Sequence, residues 1–186
     1  MAGDEANEVS WEAVLALAGI GQWSEVASHC ERFAGHSRYG EDAVQLQAEA
    51  CLELGEPKVA IEKLQPLLQS GNISVLTLQL LARAQEEQGF LDKAKEVLEL
   101  ALSVDQSSVE IWKQLGAINI KQGAQAEAAR CYERVVELDP EAIEAWNSLG
   151  AAQANQSAFE NALDSFSQAL LVNPEHYLAG VNRLFV

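Results

Sequence analysis

Apolar residues recur at helical spacing through nearly the whole chain, and the helical stretches come in pairs. Trp112, Leu115 and Gly116 lie at i, i+3 and i+4, one face of a helical turn. Beyond a break at Gln122 and Gly123, the residues Ala128, Tyr132 and Val135 hold helical spacing again. The same pattern returns 34 residues later as Trp146, Leu149 and Gly150, a break at Gln156 and Ser157, then Ala162, Phe166 and Ala169. Asp139-Pro140 and Asn173-Pro174 close the two units. An Asp or Asn followed by Pro predicts a cap for the next helix, with Pro in the first turn where no backbone donor is needed.

Earlier units keep the register with weaker residues. Ala82, Gly89, Ala94, Leu98 and Ala101 fill the corresponding slots one period back, and Ala48, Gly55, Ala60 and Leu64 one period before that. Pro57 opens a second helix there. The first unit, Val14, Gly21, Val26, Cys30 and Phe33, has Val where the others have small residues. The alternation has a packing reason: Gly116 and Ala128 mark close helix crossings, and Trp112 and Tyr132 supply the bulk that fills the remaining space. A period of this size predicts stacked helical hairpins.

These residues resemble the tetratricopeptide repeat family, over about residues 7–176. The resemblance implies an all-α fold, an α-solenoid wound as a right-handed superhelix. Five helix pairs are expected at about 7–40, 41–74, 75–108, 109–142 and 143–176, after a disordered N-terminus at 1–6. Residues 177–186 are expected to form a C-terminal capping helix or to start a sixth repeat. The resemblance further implies a concave groove, lined by the first helix of each pair, that holds a peptide or protein segment.

Read on that frame, the packing stripe set by Trp112, Leu115 and Gly116 leaves a second stripe for a partner. It contains Lys113, Ala117 and Lys121 in the fourth unit, and Asn147, Ala151 and Asn155 in the fifth. Gln79, Arg83 and Glu86 fall on it in the third unit, beside Leu80 and Glu87, and Gln45 and Glu49 in the second, beside Leu52 and Glu53. Its early part is acidic and its later part cationic and amide-rich. Ordinary solvated helix faces carrying i, i+3 ion pairs would look the same in sequence. Relatives that clamp the carboxylate tails of heat-shock chaperones use a Lys and Asn set that is not reproduced: Lys113 matches, but Ala117 and Ser148 stand in its partner slots. The groove asparagines of the glycosyltransferase relatives are replaced by Gln114 and Ser148.

The ends are less regular. Gly35 to Gly40 is a turn-rich joint. Trp23 is expected to pack at a turn, whereas Trp11 falls on the groove stripe, as an exposed aromatic anchor or an end cap. Tyr177, Leu178, Val181, Leu184 and Phe185 make the last helix apolar around more than one face. It either packs on both sides or continues into further chain.

Charge refines the picture. The chain of 186 residues has a net charge of −16, with −8 in residues 1–74 and −8 in 75–186. Such a field disfavours nucleic acid and favours a basic protein or peptide partner, though it also keeps an apolar-rich solenoid soluble. No apolar run is long enough to insert directly into a membrane, and the acidic start lacks a secretory pattern. A cytoplasmic location is expected, with the nucleus as the alternative, and the oligomeric state is left open. Cys30, Cys51 and Cys131 form no CxxC pair and are expected to be small buried thiols.

No catalytic chemistry is legible. His29 and Cys30 are adjacent on a helix and point about 100° apart, and no zinc-protease, dinucleotide or phosphate-loop motif occurs. No cofactor and no metal are expected. The function implied is a non-catalytic interaction scaffold or adaptor. The alternatives are an acidic chaperone for a basic client, such as a histone or ribosomal protein, and a regulatory or targeting module of a larger enzyme or assembly.

Overall fold

The computed structural model describes residues 9–71 and 73–186, so the expected disorder at 1–6 lies outside the described residues. Among these are eleven helices and no strand. They are α1 (Trp11–Gly19) with α2 (Trp23–Phe33), α3 (Gly40–Glu53) with α4 (Pro57–Gln69), and α5 (Val75–Glu87) with α6 (Leu91–Val104). Then come α7 (Val109–Lys121) with α8 (Gln125–Leu138), α9 (Ile143–Asn155) with α10 (Phe159–Val172), and α11 (Tyr177–Leu184). The architecture is an α-solenoid of helix pairs with a C-terminal helix. Contacts group the chain into two compact units, unit 1 up to Val97 and unit 2 from Leu98.

Each pair reverses through the same turn. Gly21, Gly55, Gly89, Gly123 and Ser157 all have positive φ, between 63° and 80°. The next amide, of Gln22, Glu56, Phe90, Ala124 or Ala158, donates to the carbonyl five residues back at 2.8 to 3.0 Å. This long bond ends a helix by reversing the chain into the left-handed region, which favours Gly. Ser157 is the one side chain held there.

The joints between pairs correct one expectation. α9 begins at Ile143 after Ala142, and α11 at Tyr177 after His176, so Asp139 and Asn173 end α8 and α10 and do not cap the helices that follow. Instead the Oδ1 atoms of Asp105, Asp139 and Asn173 each accept the backbone N–H two residues on, at 3.0 to 3.2 Å. A short Asx side chain closes this local turn first, with Pro140 or Pro174 inside it, and has no reach left for the helix. Ser108 caps α7, and His176 caps α11 by accepting the Ala179 N–H on Nδ1 at 3.2 Å.

In unit 2 the small and bulky positions meet as expected. A Cβ added to Gly116 would lie 2.8 Å from the Tyr132 ring, and one on Gly150 would lie 2.6 Å from Phe166. Trp112 and Trp146 press against the core of Tyr132, Val135, Val136 and Leu149. Their Nε1–H groups donate to the carbonyls of Gln106 and Pro140, at 3.0 and 2.9 Å. Each indole therefore fills the core and pins the preceding joint. Polar pairs also recur at the period: Asn119 donates to Cys131 Sγ, and Ser165 to Gln153 Oε1. α11 packs on α10 and α9 through Ala179, and leaves Tyr177, Leu178, Leu184 and Phe185 exposed.

Among the described residues of unit 1, two core clusters stand out. One gathers Val14, Val26, Cys30, Ala43 and Ala50 with Trp11; the other gathers Ala48, Cys51, Ala60, Leu64 and Leu81. Trp11 is 8% exposed, stacked on Tyr39 at 5.5 Å and edge-on to Phe33 at 5.3 Å. It is an end cap and not an exposed anchor, because the irregular joint before α3 folds Tyr39 back over it. All three cysteines are buried thiols outside any disulfide. Burial, aided by the nearby Cys51, pushes the Cys30 thiol up to about 11.

Candidate partner-binding surface

The first helices of the pairs differ between the units in what they show. In unit 1, α3 is flanked by α2, α4 and α5, so a wide arc of it is covered. Leu52 and, on α5, Leu80 are buried rather than presented on a groove stripe. Gln45 is also buried, at 7% exposure. Its amide lies 2.7 Å from Ser74 Oγ, 3.0 Å from Thr77 Oγ1 and 3.2 Å from Glu41 Oε1. It ties α3 to the cap of α5, so it is not a free surface amide.

Arg83 plays a similar part. Its guanidinium donates to Glu53 at 2.7 Å and to Glu87 at 3.1 Å. Burial alone would lower its pKa, but the hydrogen bonds and charges of Glu53 and Glu87 outweigh that and raise it. Glu49, Gln79 and Glu86 are half-buried beside it. Together α3 and α5 carry one arginine and six carboxylates: Glu41, Asp42, Glu49, Glu53, Glu86 and Glu87. The unit 1 surface is acidic.

Unit 2 is different. Lys113 is partly exposed, with Glu110 Oε2 at 4.0 Å, and Lys121 is exposed two helical turns further on. Ala117 lies between them, half-buried, and Ala151 has the same exposure on α9. Asn155 is exposed, whereas Asn147 accepts from Asn182 Nδ2 at 3.0 Å and so helps seat α11. His176 Nε2 and Glu144 Oε1, at 3.1 Å, make a second tie between α11 and α9. Ala117 and Ala151 place small side chains on the same two helices as these cationic and amide residues.

Sequence reasoning missed two concave sites. One, of about 430 Å³, lies in unit 2 between Leu102, Gln106, Trp112 and Arg134, with Glu99 at its edge. Another, of about 470 Å³, lies in unit 1 beside Arg32, Phe33 and His36. The repeat register marks Trp112 as core and hides the exposed part of its ring; nothing in the sequence pattern signals the second cavity. Among the described residues no group of three His, Cys, Asp or Glu side chains is placed to hold a metal.

Profiles of the tetratricopeptide repeat match residues 75–118 and 143–176, and a further TPR repeat profile matches 118–157, so that together they span 75–176. The chain belongs to the tetratricopeptide repeat family. A search of curated proteins returned no match. Solved structures share the fold at low identity. MamA from Desulfovibrio magneticus RS-1 is 15% identical with a TM-score of 0.77, covering 89% of this chain and 93% of its own. YrrB, described as a TPR protein with an unusual peptide-binding site, is 18% identical with a TM-score of 0.74, covering 97% and 95%. The first TPR of Spaghetti (RPAP3), bound to the HSP90 peptide SRMEEVD, is 18% identical with a TM-score of 0.57, covering 60% and 89%. Tetratricopeptide repeats of this kind are interaction scaffolds, and no described helix is long and apolar enough to cross a membrane.

Proposed function

We propose that this protein is a non-catalytic adaptor that holds an extended peptide or protein segment along its first helices. The observation that carries the reading is the surface of α7 and α9. There Ala117 and Ala151 keep the ground between Lys113, Lys121 and Asn155 low enough for a second backbone to approach. Asparagine amides both donate to and accept from a peptide backbone, which suits a strand with no side-chain motif of its own.

The test blocks that ground. Ala117→Arg and Ala151→Arg place long side chains where the segment would lie, while both positions are only half-buried. Proteins captured by the wild-type chain and quantified by mass spectrometry should fall away with the double variant, at an unchanged melting temperature. Equal recovery of all of them would move the binding surface elsewhere.

A second reading rests on unit 1. The excess of carboxylates on α3 and α5 suits a strongly basic client, which the chain would shield as an acidic chaperone. Affinity for such a client falls steeply with salt. A binding constant that is flat from low to high salt would remove this reading.

A further inference from the structure

We infer that the cavity between α6, α7 and α8 in unit 2 takes an arginine side chain from a basic segment of a partner protein. This site lies apart from the first-helix stripe. On α7, Trp112 and Ala117 point about 140° apart, and the remaining walls come from α6, the joint after it and α8. Its failure would therefore leave the adaptor reading standing.

The chemistry of the cavity follows from which polar atoms are already committed. Leu102 and part of the Trp112 ring give its space of about 430 Å³ an apolar wall. The indole N–H donates to the Gln106 carbonyl at 3.0 Å, and the Ser103 hydroxyl donates to the Leu100 carbonyl at 2.6 Å. Arg134 is turned to Glu137 one helical turn on, so its charge is matched. What remains to meet a ligand is mainly acceptor. The Glu99 carboxylate has no ion pair among the described residues, and Ser103 Oγ keeps its lone pairs. The Gln106 amide serves either way. Acceptors beside an indole suit a cationic donor.

Arginine meets these conditions better than lysine. Its stem can pack on Leu102 while its head stays at the mouth of the cavity. A planar guanidinium can also lie against the indole and offer several N–H groups to Glu99 and Ser103. Residues 98–186 contain 12 acids and 5 lysines or arginines, a field that draws cations. Leu100 and Val104 point to a protein segment rather than a free amino acid. They lie one turn apart on α6, beside Glu99 and Ser103, and are 53% and 66% exposed. An apolar residue next to the arginine would cover them.

The experiment uses the full chain labelled with nitrogen-15 and follows the Trp112 indole N–H signal by NMR. The probe is a five-residue peptide, acetylated and amidated, with one arginine and one leucine among glycine and serine. Sister peptides replace the arginine by citrulline, lysine or glutamate. The arginine peptide should move the signal saturably, and citrulline, which keeps the shape without the charge, should bind about fivefold or more weakly. Glu99→Gln, at an exposed position, should weaken the arginine peptide about threefold or more. Equal binding of the citrulline peptide, or indifference to Glu99→Gln, would overturn the inference. Tighter binding of the glutamate peptide would overturn it in favour of Arg134 as the reading group. A lysine peptide that binds as well as the arginine one removes the planar contact with Trp112, and with it the choice of arginine. The signal should still move in the Ala117→Arg, Ala151→Arg variant; its loss there would assign the peptide to the first-helix surface instead. No movement with any peptide also overturns the inference.

Discussion

Gly150→Ala is the sharpest probe of the packing in unit 2. The added methyl would lie 2.6 Å from Phe166 Cε1, 2.8 Å from Cδ1 and 2.9 Å from Cζ. Phe166 is 1% exposed, so its ring has no solvent to swing into. Overpacking of this kind costs about 1–3 kcal/mol. Ala also favours a helix over Gly by roughly 1 kcal/mol, which offsets part of that cost. Gly180 supplies the control, since a Cβ there meets nothing within 4 Å in α11. Gly180→Ala should gain up to about 1 kcal/mol from propensity, and the gap between the two variants, about 1–3 kcal/mol, isolates the clash. Urea unfolding followed by far-UV circular dichroism measures both. Adding Phe166→Leu to Gly150→Ala should cost less than its cost in the wild type, because the same space is contested. Equal stability of Gly150→Ala and Gly180→Ala would refute the close crossing of α9 and α10.

Other outcomes follow from the turns and the titrating groups. Ser157→Gly relieves a side chain at φ 63° and should stabilise the chain by about 1 kcal/mol, seen as a raised melting temperature. Cys30, raised to about 11 by burial, should resist alkylation by iodoacetamide at neutral pH in the native state and react fully in denaturant. Glu31 accepts from Lys63 Nζ at 2.6 Å, and that hydrogen bond and charge lower its pKa in the folded state. Its stabilising effect is present above the ordinary carboxylate pKa and is lost as pH falls through the lowered one. Glu31→Gln should therefore lower stability at neutral pH, leave it nearly unchanged at the acid end where the carboxylate is protonated, and so flatten the acid limb of a stability-against-pH curve.

The repeat and its tight crossings were legible because they rest on side-chain volume at fixed spacing. Gly116 against Tyr132 and Gly150 against Phe166 are set by the letters themselves. The stripe assigned to a partner was less legible. A helical wheel gives the direction of Gln45 and Leu52 but not the three helices around α3 that cover them. Nor does it separate polar residues that tie one helix to the next from those that meet a partner. Gln45, Arg83 and Asn147 do the first with the same chemistry the second would need. Trp11 was ambiguous because its burial depends on Tyr39, which sits in an irregular joint outside any period. Asp139 and Asn173 were misjudged as caps because a turn two residues long competes for the same oxygen.

The tryptophan placement also makes this chain its own spectroscopic map. Trp11 and Trp23 belong to the first helix pair, and Trp112 and Trp146 to the fourth and fifth, with none between. Repeat arrays need not melt as one body, since each unit leans mainly on its neighbours. Loss of the Trp112 and Trp146 pins would expose those indoles to water when their own joints open, whatever the state of α3 to α6. A fluorescence midpoint that departs from the circular dichroism midpoint would then report fraying by region, without any label being attached.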